Sequence, residues 1–266
     1  LVLVAVAGLL ALKPSPPSPM GQIPAPAEAL SASDQEAPRT HSLEEKQEST
    51  LPESAETAKD IEWKEFLEKL DRPNEIRERR SANARHFRNP DGSFSAIITP
   101  TPIHYQDENG EWLPIDIDIT AGTGRYENTS NVMKSWYPVS SSDPEGARIG
   151  ISEEQSYSWI SRSLGYTTED GTYVELWNMA AVPALVDGDE IRYADIFPGA
   201  TEQYRVHAGM VKHNLILDSA PDLPESCDTV DFVGHVELGT DMALAVDGSV
   251  QTSTFLTSGS IWVTTR

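Results

Sequence analysis

The chain of 266 residues contains one cysteine, Cys227. A lone thiol excludes an intramolecular disulfide framework and any multi-cysteine zinc or iron–sulfur site. Positive charge is scarce too: 20 Lys and Arg stand against 42 Asp and Glu, a formal net charge of -22. Phosphate recognition needs a basic face, so this balance argues against a nucleic-acid partner. It argues equally against electrostatic docking onto anionic lipid. No nucleophile elbow, His-Glu-x-x-His, phosphate loop or Gly-x-Gly-x-x-Gly occurs. Cys227 lies in Pro-Glu-Ser-Cys-Asp, among acids that raise rather than lower a thiol pKa. No catalytic, cofactor-binding or metal-binding residue is therefore assigned, no cofactor is expected, and the chain reads as a non-enzyme.

The charge that is present is unevenly placed. Residues 1–60 carry net -5, residues 61–90 net +2, and residues 91–266 net -19. A mildly basic segment thus precedes an acidic body.

Residues 1–13 open on an apolar run, Leu1 to Leu12, closed by Lys13 and a proline-rich stretch. Twelve residues are too few to span a bilayer, which takes about 20. They match the apolar stretch of a secretory signal, and neither an initiator Met nor a charged leader precedes them. The expectation is a truncated signal peptide or anchor, so that any membrane contact runs through this segment alone. A buried core helix is the plainer alternative. Residues 14–55 hold Pro, Ser, Ala, Glu and Gln with almost no large apolar side chains. Such composition does not offset chain entropy, and a disordered linker is expected.

Residues 56–80 read as an amphipathic helical segment. Trp63, Phe66, Leu67 and Leu70 fall at i, i+3, i+4 and i+7. Thr57 with Asp60 resembles a capping box, Pro73 ends the helix, and Asn74 is placed to cap a short second turn. Packing on the next domain is the simplest role for this helix. A partner-binding helix, or a basic patch of Arg77, Arg79 and Arg80, is the alternative.

Residues 81–266 change to period two, and a mainly β, antiparallel, sandwich-like domain is expected. Strand-like runs include Phe94–Thr99, Ile103–Tyr105, Trp112–Ile119, Arg148–Ile151, Tyr157–Ile160, Tyr173–Trp177 and Ile191–Ile196. Others are Glu202–His207, Met210–Leu217, Val230–Leu238, Met242–Val246, Gln251–Leu256 and Ile261–Thr264. Asp-Gly and Ala-Gly turns separate many of them. Ile115, Ile117 and Ile119 share one face with Leu113, and Asp116 and Asp118 point the other way. The last residues still read as strand, so the domain is expected to be incomplete at its C-terminus, with downstream modules of the same polypeptide as its partners.

Several clusters invite chemistry. His207, His213 and His235 would serve zinc only if the sheet made them converge. Isolated histidines are the simpler reading. Asp116/Asp118 and Asp187/Asp189/Glu190 could offer oxygens to calcium, against the plainer reading of solvated carboxylates. Trp112, Trp136, Trp159, Trp177 and Trp262 with the tyrosines build a sandwich core or, if exposed, a sugar-stacking platform. Asn128-Thr129-Ser130 matches the glycosylation sequon.

Two stretches carry a family resemblance. RSANARHFRNPDGSFSAIITPTPIHYQDENGEWLPIDIDI (80–119) resembles a segment near the N-terminus of large secreted bacterial wall-associated proteins of the RHS/YD-repeat and DNRLRE-domain type. IRYADIFPGATEQYRVHAGMVKHNLIL (191–217) is similar to their second characteristic stretch, in which Asp-Ile-Phe-Pro-Gly turns into a hairpin. The resemblance covers roughly residues 75–250. It implies a secreted or cell-surface, β-rich, non-catalytic module that is structural or adhesive. The alternative function is a carbohydrate-binding module of a secreted hydrolase, with cell-wall or surface glycan as ligand.

Overall fold

The computed structural model describes residues 57–227, 229–246, 249–252 and 261–265. The expected signal run and linker lie outside these residues, as does the Asp247-Gly248 turn. Helix α1 spans Thr57–Lys69. Trp63, Phe66 and Leu67 are half-buried and Leu70, just past the end, is buried. Trp63 packs against the main apolar core, so the stripe docks the helix onto the body. The proposed Thr57 cap falls outside the described side chains. No helix among the described residues is long and apolar enough to cross a membrane.

The second helical turn differs from expectation. Only a 3-10 turn forms, Arg77–Arg79, and Ile76 rather than Asn74 precedes it, without a side-chain cap. Asn74 instead takes a positive φ of 66°, a conformation that Asn tolerates better than most residues. That bend turns the chain so that Ile76 N–H reaches His86 O and Arg88 N–H reaches Asn74 O. The segment after Pro73 is consumed as a backbone partner of the first strand, not as helix.

The strands in chain order are β1 (Ala84–Arg88), β2 (Phe94–Ile98), β3 (His104–Gln106), β4 (Trp112–Pro114), β5 (Thr120–Ala121) and β6 (Arg125–Asn128). They continue with β7 (Lys134–Pro138), β8 (Ala147–Gly150), β9 (Ser156–Thr167), β10 (Tyr173–Asn178), β11 (Leu185–Asp187) and β12 (Glu190–Phe197). The last are β13 (Ala200–His207), β14 (Met210–Leu217), β15 (Asp231–Leu238), β16 (Met242–Val246), β17 (Ser249–Gln251) and β18 (Ile261–Thr265). The strand pairings among the described residues are all antiparallel.

A large sheet runs β5-β6-β7-β8-β9-β10. The 12-residue β9 is its spine: β8 and β10 share one edge and β15 lies along the other. A second sheet runs β11-β12-β13-β14. One apolar cluster joins Tyr137, Ile149 and Leu164 of the first sheet to Ile191, Tyr193, Tyr204 and Val206 of the second. The two faces therefore close on one core, and the fold is the expected antiparallel, sandwich-like one. A small sheet, β17-β16-β18, has its own core of Met242, Leu244, Val246 and Val263.

Local chemistry explains the register at the β12–β13 turn. Asp195, at φ 54°, breaks the alternation between Tyr193 and Phe197. This bulge turns both Ile196 and Phe197 into the core, where each is fully buried. Pro198 and Gly199 then close the hairpin, with the positive φ that the turn requires supplied by the glycine.

The expected long strand 112–119 ends at Pro114. Its alternation persists: Ile115, Ile117 and Ile119 are buried and Asp116 is exposed. What is missing is a ladder, and single hydrogen bonds to Ile103 O, Ser130 O and Gly188 O replace it.

Candidate functional site

A polar node in the interior ties the two sheets together. β13 buries every second residue, and this phase carries Ala200, Glu202, Tyr204 and Val206 inward. Glu202 is thus a carboxylate 3% exposed. Its Oε1 accepts from Ser161 Oγ (2.8 Å), Tyr204 OH (2.8 Å) and His213 Nε2 (2.7 Å). Trp159 Nε1 donates in turn to Ser161 Oγ at 3.0 Å. Ser161 and Trp159 belong to β9 of the large sheet, whereas Glu202, Tyr204 and His213 belong to the other. Burying the carboxylate is tolerable only because several donors converge on it.

The rings around the node are fixed by register. Tyr204 and His213 are direct cross-strand partners, and their rings stack at 4.3 Å with planes 6° apart. Trp159 and Phe232 each meet His213 edge-on, at 5.5 and 5.8 Å. Trp159 lies so close to Gly234 that a Cβ there would sit 2.2 Å from its ring, so a side chain at 234 is excluded. A small cavity lined by Trp159, Ser161, Tyr193, Glu202 and Tyr204 has a volume of about 10 Å³, room for roughly one water.

Ser, His and Glu together suggest nucleophilic catalysis, but the connectivity differs. Ser161 donates its hydrogen bond to the carboxylate, not to the imidazole, so the serine–histidine–acid order of a catalytic triad is not assembled. The carboxylate takes both groups on one oxygen and holds them in place. Burial raises the pKa of Tyr204, and the nearby Glu202 charge raises it further, so its phenol stays a donor.

The three histidines do not converge. His213 sits in the node, and His207 lies three residues along from its level, about 10 Å at strand spacing. Odd parity also places His207 on the face opposite Tyr204. His235 is exposed on β15 beside Glu237. Among the described residues no group of three or more His, Cys, Asp or Glu could hold a metal ion.

The two acid clusters, by contrast, do meet. Ile119 N–H bonds Gly188 O, which brings the 116–118 stretch against the 187–190 turn. Their counter-ion is a side chain: Lys64 of α1 pairs with Asp118, which raises the lysine pKa, and Asp116 and Asp189 act in the same direction. Glu190 is buried and pairs with Arg192 and Arg205. Asp118 and Glu190 thus tie separate elements together.

The basic patch expected from Arg77, Arg79 and Arg80 loses its third member. Arg80 is nine-tenths buried and forms a two-pronged bond to Glu75, with both contacts at 2.7 Å, and it also donates to Trp112 O. The guanidinium holds the Glu75 carboxyl below its ordinary range. Beside this pair His104 is fully buried, with Nδ1 2.8 Å from Ser81 O, and burial pushes its pKa down.

The tryptophans with described side chains turn at least partly inward. Trp136 is buried, and Trp112, Trp159 and Trp177 are half-buried, with Trp177 packed on the main core. The side chain of Trp262 lies outside the described set. Cys227 is a free, half-buried thiol whose Sγ is 3.7 Å from Thr167 O.

The sequon asparagine has a structural task. Asn128 is 2% exposed, and its Nδ2 donates to Asp116 O and Asp118 O, both at 2.8 Å. One side chain thereby replaces the missing ladder partner of the 115–119 stretch. A glycan on that nitrogen is incompatible with the clamp. Asn128→Asp turns the donor into an acceptor facing two carbonyls. It is expected to cost about 3 kcal/mol, read as a lowered urea midpoint at unchanged slope. A loss below about 0.5 kcal/mol would show that the clamp is unimportant.

Glu202, Ser161, Lys64 and the Glu75–Arg80 pair escape the sequence reading. For Glu202 alone a signal was present: it shares the inward phase of Tyr204 and Val206. No family model matches the chain, and no curated protein or solved structure matches it either.

Proposed function

We propose that this chain is a non-catalytic structural or adhesive module of a larger extracellular bacterial protein. The observation that carries the reading is how its reactive side chains are used. Glu202, Ser161, His213, Glu190, Glu75 and Arg80 each bridge separate elements from buried or half-buried positions. The cavity beside Glu202 has space for about one water, far below the several hundred Å³ of a small-molecule site. The two-stretch resemblance supplies the extracellular, wall-associated part of the proposal. The glycan-binding alternative is the less supported reading, since none of the five tryptophans with described side chains is exposed.

Two measurements test the two halves. The full chain, offered glycoside, ester and peptide substrates, is expected to give no turnover. Turnover that falls with His213→Ala would overturn the non-catalytic half. The full chain fused to a phosphatase active only outside the cytoplasm is expected to give surface or medium activity. Activity confined to the cytoplasm would overturn the extracellular half.

A further inference from the structure

The β1–β2 hairpin leaves one edge open. β1 is flanked by β2 on one side and by the Glu75 bridge on the other. Among the described residues β2 has no partner on its outer edge. Which groups face outward follows from the hydrogen-bond parity. Asn89 N–H bonds Ser93 O at one end of the hairpin, and Thr99 N–H bonds Asn83 O at the other. Antiparallel pairs alternate, so the N–H and C=O of Phe94, Ala96 and Ile98 point away from β1.

Natural edge strands are blunted by charge, proline or a bulge. β2 reads Phe-Ser-Ala-Ile-Ile, has none of these, and pairs with β1 in unbroken register. Its outward side chains are apolar and exposed: Phe94 at 51% and Ile98 at 77%, with Ala96 between them. The rim is positively charged. Arg79 and Arg88 both lie over the Phe94 ring, at 5.0 and 5.4 Å. Neither has a carboxylate partner among the described residues. This basic, apolar strip stands out on a chain of net charge -22.

We propose that β2 is a docking strand whose open edge accepts an extended, acidic segment of a partner polypeptide as an added β-strand. Three outward amide–carbonyl positions give the incoming chain its backbone bonds, and Phe94 and Ile98 meet its apolar side chains. Arg79 and Arg88 select for acidic residues beside them. A second copy of this chain is the poorer occupant, because each copy brings the same large negative charge. The inference does not depend on where the protein resides or on its lack of catalysis.

The test uses the isotope-labelled full chain and a capped peptide of alternating Glu and Val, with the Lys–Val peptide as control. The expected result is that amide resonances of Phe94, Ala96 and Ile98 shift with the Glu peptide and that the Lys peptide binds at least about tenfold more weakly. Ala96→Pro removes an N–H that β1 does not use, so the hairpin survives. It is expected to weaken the Glu peptide by about tenfold. Joint Arg79→Glu and Arg88→Glu is expected to invert the preference, which misfolding would not do. Three results overturn the proposal: no β2 shift with the Glu peptide, equal binding of both peptides, or β2 shifts driven by concentration of the chain alone. The last would assign the edge to a second copy.

Discussion

Glu202→Ala is expected to remove about 4 kcal/mol of folding free energy, a large share of the 5–15 kcal/mol typical of a domain. Two effects combine. The donors Ser161 Oγ–H, Tyr204 O–H and His213 Nε2–H lose one shared acceptor in the interior, and each orphaned group costs about 1–3 kcal/mol less whatever water recovers. A cavity then opens where the side chain stood. For a unit of this size the melting temperature is expected to fall by on the order of 10 °C. Glu202→Gln keeps shape and one oxygen and is expected to cost roughly half as much. A double-mutant cycle with Tyr204→Phe separates the node from simple packing: coupling of about 1 kcal/mol or more is expected. Additive losses would mean that the tyrosine and the carboxylate act independently, and the clamp would have to be given up.

The same residues show what a sequence can disclose. β14 was readable because Val211, Leu215 and their neighbours alternate after a glycine turn, and hydrophobic period two is a direct image of burial. β6, Arg125-Tyr-Glu-Asn, was not, since its residues carry no alternation and its pairing is imposed by strands on either side. Strand preference of that kind belongs to the neighbours. The apolar signal for β9 stops at Ile160, because Ser161, Arg162 and Ser163 carry no apolar side chain. In the fold those serines are buried against Glu202 and Tyr173. Small hydroxyl side chains signal loop or clamp depending on a partner far away in the chain, which no local window contains. The candidate node was half legible for the same reason. Aromatic Trp159 and Tyr204 announced a core, whereas Glu202 looked like any wet strand carboxylate until its phase was compared with that of its neighbours.

Raising the pH above 10 is expected to unfold the domain cooperatively, and the core tyrosines provide the reason. Tyr137, Tyr193 and Tyr204 are each 2% exposed or less. Burial raises all three phenol pKa values well above normal, and the Glu202 charge adds to the shift for Tyr193 and Tyr204. The sign follows from linkage. In the unfolded chain these phenols release protons near pH 10; in the fold they retain them. Above 10 the folded state therefore binds more protons than the unfolded state, and stability falls as pH rises. The contribution is complete below about pH 10 and is lost progressively above it. Each phenol gives about 1.4 kcal/mol per pH unit, so three give about 4. A domain with roughly 8 kcal/mol of stability would then unfold within about two pH units. Tyrosinate absorbance and near-UV circular dichroism, followed together, decide it. The buried phenols are expected to ionise only as the tertiary signal collapses, and Tyr204→Phe is expected to lower the slope by about a third. Smooth ionisation of all eight tyrosines near pH 10, with the near-UV signal intact, would mean that the interior admits hydroxide and that these rings do not seal the core between the two sheets.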